Sequence, residues 1–202
     1  MITRQLTKDD LNEFKKLILD MYANLVTLEW FSPMPLGDED ILSMLENERF
    51  YILGLFDGDT LAAVTSLDYK CGKIYGKVEF PEGCDESKLV EIAFNIVRSD
   101  YRGNGYMKML VAEVVEYIKS LGLTDVFSKV HRDNFASSKS ILANGLEQLC
   151  DYPKPLKVKD MLYLLDKNVL SECATKRANE LISVCDGEAI DCSYVIYYKK
   201  LV

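Results

Sequence analysis

One histidine in 202 residues, and six cysteines of which no two stand in Cys-x-x-Cys spacing, leave little with which to hold zinc. The cysteines fall at 71, 84, 150, 173, 185 and 192, a scatter that suits reduced thiols and a cytoplasmic location. Long apolar runs are missing too, and none approaches the ~20 residues of a membrane span. The opening Met1-Ile2-Thr3-Arg4 leads into a polar helix and does not read as a signal peptide. Basic charge is in deficit: 24 Lys and Arg against 32 Asp and Glu give a formal net charge of −8. That argues against nucleic acid as a partner, which calls for a basic face. It mildly favours a cationic acceptor such as an amine, although solubility alone explains it equally well. Repeats, low-complexity tracts and linkers are absent, so residues 1–202 read as one domain with room for a substantial core.

What is present is an alternation of strand and helix patterns. A short strand at 1–6 precedes Thr7-Lys8-Asp9-Asp10, which offers capping residues. Leu11, Phe14, Leu17, Ile18, Met21, Tyr22 and Leu25 then recur at helical spacing. Ser32-Pro33-Met34-Pro35-Leu36-Gly37 breaks the chain before a second helix at about 38–47. Strands at 50–56 and 61–69 flank the turn signal Asp57-Gly58-Asp59. Residues 71–88 read as a loop or ragged hairpin, 89–97 as an apolar strand, 125–130 as another strand, and 134 onward as a short helix. The Pro153–Pro155 bend predicts a strand near 157–166, followed by a helix at 171–185 and a last strand at 192–200. This order is an α/β (α+β) arrangement, a mixed sheet with helices packed on it.

The densest chemistry lies between 91 and 108. After the apolar strand come Arg98, Arg102, Gly103, Asn104, Gly105 and Lys108, and then a helix marked by Met107, Leu110, Val111, Val114, Val115 and Ile118. Gly103 and Gly105 allow a backbone with positive φ to approach a ligand without a Cβ in the way, and Asn104 tolerates the same region. Such a turn aims N–H groups and the positive end of a helix dipole at one point, which suits a phosphate or pyrophosphate. Two better-known phosphate loops do not fit. The Walker loop needs Gly-Lys-Ser/Thr, and the dinucleotide fingerprint needs a third Gly where Lys108 stands.

Arg102-Gly103-Asn104-Gly105-Tyr106-Met107 resembles the acetyl-CoA loop of the GNAT N-acetyltransferases, Arg/Gln-x-x-Gly-x-Gly/Ala after an apolar strand, except that Met107 replaces a small residue. The stretch from Asn134 to Leu146 is similar to the family's second signature, which opens with Asn and closes after a short helix with Gly. The resemblance covers roughly residues 1–165. It implies the GNAT fold, a mixed central sheet whose two parallel strands splay apart, with acetyl-CoA as cosubstrate, an amine-bearing acceptor and no metal. The helix at about 171–185 is an atypical insertion by that standard, and the resemblance leaves room for a homodimer.

The same comparison assigns roles. Glu91 matches the general base of the histone-acetylating branch; Asp68 and Glu79 are weaker candidates. Backbone groups of Asn95, Ile96 and Val97 would meet the pantetheine arm, with the Asn95 side chain close to the thioester oxygen. Arg102, Gly103, Asn104, Gly105, Tyr106, Met107 and Lys108 would hold the pyrophosphate, Asn134 the pantetheine, and Lys139 the CoA phosphates. Many members carry a Tyr seven residues after the Asn to protonate the CoA thiolate; here that position is Ile141. Tyr152 or another Tyr would then have to serve, or the thiolate leaves unaided. Tyr22, Trp30, Phe31, Tyr152 and Tyr163 are candidates for the acceptor pocket. Beside the enzyme stand two other readings: a CoA-binding sensor that no longer catalyses, and an unrelated phosphate-binding domain.

Overall fold

A computed structural model describes residues 1–70, 74 and 77–201. Seven strands form one sheet in the order β1-β2-β3-β4-β5-β7-β6. They are β1 (Ile2–Gln5), β2 (Phe50–Asp57), β3 (Thr60–Asp68), β4 (Leu89–Val97), β5 (Asp125–His131), β6 (Glu147–Lys157) and β7 (Ala189–Lys200). The helices are α1 (Leu11–Ala23), α2 (Asp38–Leu45), α3 (Tyr106–Ser120), α4 (Phe135–Leu142), α5 (Val158–Asp166) and α6 (Glu172–Val184). Among the described residues only the central pair β4–β5 is parallel, and the other pairings are antiparallel. Cys71 and the rest of 71–73, with 75–76, lie outside the described residues, so the expected loop is seen only in part.

Alternation along the strands feeds two apolar layers. Leu53, Leu55, Ala63, Val90 and Ile92 pack with the buried stripe of α3 and with Ile141 of α4. Ile52, Phe56, Leu61, Val64 and Ile96 pack with α1, α2, α5 and α6 on the other face. Within β4 the two sets swap sides. Val90 and Ile92 face α3, whereas Phe94 and Ile96 belong with α1, because the β3–β4 register slips between Thr65 and Leu67. A bulge of this kind re-aims the side chains that follow it.

The parallel pair stays together only from Leu89↔Asp125 to Ile92↔Ser128. The Ser128 hydroxyl donates to the Ile92 carbonyl at 2.9 Å, at the end of that paired stretch. From Ala93 on, β4 pairs with β3 alone, so the expected splay is present.

One element differs from the sequence reading. Residues 158–166 form helix α5, not a strand, and the strand ends before it as β6. Val158, Met161 and Leu165 recur three and four apart and join Leu164 in one apolar layer, a helical period that the nearby prolines mask. Pro153 and Pro155 are accommodated inside β6 because it is the last strand of the sheet. They pair with Ser193 and Asp191, two residues apart, so both ring nitrogens lie on the open side where no N–H is needed.

The expected helix near 171–185 is present as α6. The Ser171 hydroxyl caps it by accepting from the Ala174 N–H at 3.1 Å, and it donates to the Leu25 carbonyl at the end of α1. The Ser171 N–H donates to the Tyr22 carbonyl at 3.0 Å. Ser171→Ala removes the cap and the tie together. It is expected to lower stability by about 1–2 kcal/mol, a fall in Tm of roughly 2–8 °C. A thermal melt followed by circular dichroism reads it; an unchanged Tm would show that the cap carries no stability.

Candidate active site

The sequence expectation of a backbone cup after β4 is met by Gly103 and Gly105. They have φ of +83° and +77°, and a Cβ built on either would meet nothing within 4 Å. Asn104 is not left-handed; its side-chain amide instead donates to the Tyr101 carbonyl at 3.2 Å and braces the turn. Gly105 is the N-cap of α3, and no side chain caps that helix. Asn134 caps α4 and Ser171 caps α6, whereas α1, α2 and α5, like α3, have no side-chain cap. The first amides of α3 are therefore open to a guest, and an anion is the guest they suit.

The turn is held from behind by residues that the sequence did not single out. Asp20 of α1 accepts from the Ser99 N–H and from its hydroxyl, both at 2.7 Å. The Tyr101 hydroxyl donates to Asp57 at 3.1 Å. Arg98 turns toward Glu13 of α1, 3.7 Å away, and so is not a mobile cation over the turn. Arg102 is exposed and its Nε donates to the Val97 carbonyl at 3.3 Å; Lys108 is exposed as well. Met107 points into the core, so only its backbone can face a ligand.

Where β4 and β5 part, a cavity of about 380 Å³ opens. Glu91, Asn95 and Asn134 all line it, so three predicted site residues are brought together. Glu91 precedes the register slip and Asn95 follows it, yet both border the same space. Ala93 keeps the wall between them low. The Asn95 side-chain oxygen accepts from the Thr65 hydroxyl at 2.7 Å, and the Asn134 oxygen accepts from the Ser137 N–H at 3.2 Å. In both residues the NH₂ group is the part left for a ligand. The Ile96 side chain is buried against α1, and Lys139 is exposed on α4 outside the cavity.

Glu91 is not an exposed strand-end residue. It is 6% exposed, and the Lys129 ammonium donates to its Oε2 at 2.8 Å. Burial raises its pKa above the ordinary carboxylate range, and Lys129 opposes that rise without cancelling it. Asp68 lies across the β3–β4 pairing from Glu91, but Arg49 grips it, Nε to Oδ1 at 2.7 Å. Glu79 is exposed and does not line the cavity.

Trp30 and Phe31 line the cavity as expected, with Met34, Met44, Phe50 and Phe94. Tyr22 does not; its buried hydroxyl bonds the Met34 backbone and fixes the loop that carries Trp30 and Phe31. Tyr152 and Tyr163 are not among the lining residues. Tyr194 of β7 is, and its hydroxyl donates to the Glu29 carbonyl. Lys129, Lys154 and Tyr194 escaped the sequence reading. Lys129 stands four residues after the start of β5, a position that carries no motif. Ile141 is fully buried under α3 and presents nothing to the cavity.

Comparison with known proteins decides the family. The model of the GNAT acetyltransferase domain matches residues 1–147, nearly three-quarters of the chain. The chain belongs to the GNAT acetyltransferase family. It is thus an acyltransferase, and its mixed sheet with splayed parallel strands is the fold of that family. A ribosomal-protein-alanine N-acetyltransferase from Brucella melitensis superposes with a TM-score of 0.67 at 17% identity, covering 100% of both chains. An N-acetyltransferase from Staphylococcus aureus Mu50 gives 0.66 at 13% identity, covering 100% of this chain and 98% of the other. An acetyltransferase candidate from Salmonella typhimurium, solved with its cofactor acetyl-CoA, gives 0.66 at 11% identity, with 100% and 94% coverage. The family match ends at the start of β6, so α5, α6 and β7 lie beyond it. Among the described residues no helix is long and apolar enough to cross a membrane, and no group of His, Cys, Asp or Glu is gathered for a metal.

Proposed function

We propose that this GNAT protein moves an acetyl group from acetyl-CoA to the nitrogen of an amine. The observation that carries the reading is Glu91, a buried carboxylate of raised pKa lining a cavity at the point where β4 loses its neighbour. The residues suit the cosubstrate. The uncapped start of α3 with Arg102–Lys108 offers amides and cations to the pyrophosphate. The unpaired side of 93–97, including Asn95, Ile96 and Val97, offers a free strand edge to the pantetheine amides. Asn134 completes that side, and Lys139 is free to reach a phosphate.

The amine must lose a proton as it attacks the thioester carbonyl. The new N–C bond forms, the C–S bond breaks, the thiolate leaves as CoA, and the amine proton passes to Glu91. Lys129 holds Glu91 in place and opposes the upward push of burial on its pKa. With Ile141 in the core, no tyrosine stands at the usual donor position, and a thiolate of pKa near 8.5 can leave without one. The same observation supports the second reading, a CoA-binding sensor. We extend the proposal to one domain over 1–202 with α6 as an addition, and to the cytoplasm, in keeping with the scatter of the cysteines along the sequence.

Titrating acetyl-CoA by calorimetry, then following thiol release with a panel of amines, tests both readings. Binding with release supports the enzyme, binding without release the sensor, and no binding rejects both. In the same titration Arg102→Ala is expected to weaken acetyl-CoA by about fivefold, roughly 1 kcal/mol for one exposed charge-assisted contact. An unmoved affinity would remove Arg102 from the cosubstrate site.

A further inference from the structure

Two cavities share one wall. The one at Glu91 has a neighbour of about 320 Å³ lined by Glu29, Leu156, Asp160 and Cys192 among others. Phe31, Ser32, Pro33, Lys154 and Tyr194 border both. Five charged side chains line the cavity at Glu91, and four of them cancel in pairs: Glu91 with Lys129 at 2.8 Å, and Asp68 with Arg49 at 2.5 Å. The fifth is Lys154, which has no carboxylate within ion-pair distance among the described residues. Its ammonium donates to the Ser32 hydroxyl and lies 4.9 Å from the Tyr194 ring centre. Beyond the shared wall, Arg177 occupies Glu29 through two hydrogen bonds, and Lys157 and Asp160 add one charge of each sign.

A half-buried ammonium with one neutral acceptor and one ring face has donors left unmet. Burial and the charge of Lys129 push Lys154 down to about 8, and Glu91, already held by Lys129, opposes them only in part. Thus the chain is acidic as a whole, at −8, yet among the described residues the charge on this cavity left outside an ion pair is positive.

We infer that Lys154 anchors a carboxylate carried by the acceptor, so that the acceptor is an α-amino acid or a close amino-carboxylate with an apolar side chain. This rests on the acetyltransfer reading and narrows it. The amine would face Glu91, the carboxylate would take the open donors of Lys154, and the side chain would lie against Trp30, Phe31, Phe50 and Phe94. A phosphate monoester, with nearly two negative charges, would call for a second uncommitted cation, and Arg49 and Lys129 are both committed. A polyamine would bring further positive charge against Lys154.

The test is thiol release from acetyl-CoA with phenylalanine, leucine and methionine, with their carboxamides, and with phenethylamine and isoamylamine. Wild type is expected to favour the acids over the carboxamides by about tenfold in kcat/KM, the yield of one charge-assisted hydrogen bond. In Lys154→Gln that ratio should shrink to within about twofold, and Lys154→Arg should keep it. Taking the ratio between variants cancels the different amine pKa values of acids and carboxamides. A preference that survives in Lys154→Gln, or a wild type that favours carboxamides or simple amines, overturns the inference while leaving acetyl transfer standing. No release with any of these amines, from protein that binds acetyl-CoA and acetylates another amine, overturns this inference alone; no release with any amine tried overturns the acetyltransfer reading and this one with it.

Discussion

Glu91→Gln should lower kcat/KM for acetyl transfer by roughly 10²–10⁴-fold, the usual contribution of a positioned general base, and leave acetyl-CoA affinity within about twofold. The amide keeps the shape of the side chain but cannot take the proton. It also leaves Lys129 without its partner, so the variant needs a readout that a packing defect would not produce. The pH profile supplies it. Glu91 must be ionised to act, and its pKa is raised by burial, so the acid limb of the wild-type profile should lie above the ordinary 4.5 of a glutamate. In Glu91→Gln that limb should vanish. Stability moves the other way. A carboxyl whose pKa is raised on folding holds its proton in the native state where the unfolded chain has released it. Its contribution to stability is thus largest at low pH and falls as pH rises from 4.5 through the raised value. Activity rising over the same window in which this stability falls would mark Glu91 as both buried and catalytic. A full-rate Glu91→Gln enzyme with an unaltered acid limb would remove it from the chemistry.

Gly105→Val should weaken acetyl-CoA about a hundredfold and also destabilise the protein. At φ of +77° a β-branched side chain is badly placed, and relief of that strain would rotate the first amides of α3. Two charge-assisted hydrogen bonds lost to a pyrophosphate amount to about 3 kcal/mol, which is the hundredfold loss. The new side chain would also enter the space that is now clear for 4 Å around the missing Cβ. Calorimetry with acetyl-CoA reads the affinity, and a melt confirms that the variant is folded. Affinity within threefold of wild type in a folded variant would move the pyrophosphate elsewhere.

The strand–turn–helix unit at 89–120 was readable because each part is local. Apolar alternation, two glycines and a helical stripe specify it without help from the rest of the chain. Glu91, within that unit, and Asn134, beyond it, were singled out by the resemblance to the GNAT signatures. Lys129 and Lys154 were not. Each is a lone lysine in a strand, and only the sheet order, with β7 inserted between β5 and β6, brings Lys154 back to the cavity. Arg98 shows the converse. Its nearness in sequence to the turn says nothing of Glu13, 85 positions earlier, which draws it away. Helix α5 was hidden by its neighbours: two prolines that signal a bend are tolerated in a last strand, and the helical period begins only at Val158.

Those prolines also bear on how copies of the chain can meet. A strand with a free edge invites another chain to continue the ladder, and two rings in place of N–H groups refuse that invitation along the middle of β6. The opposite edge, β1, is only four residues long. Growth of the sheet from one molecule into the next is therefore blocked at one end and brief at the other. A homodimer of this protein could not continue the ladder through the middle of β6.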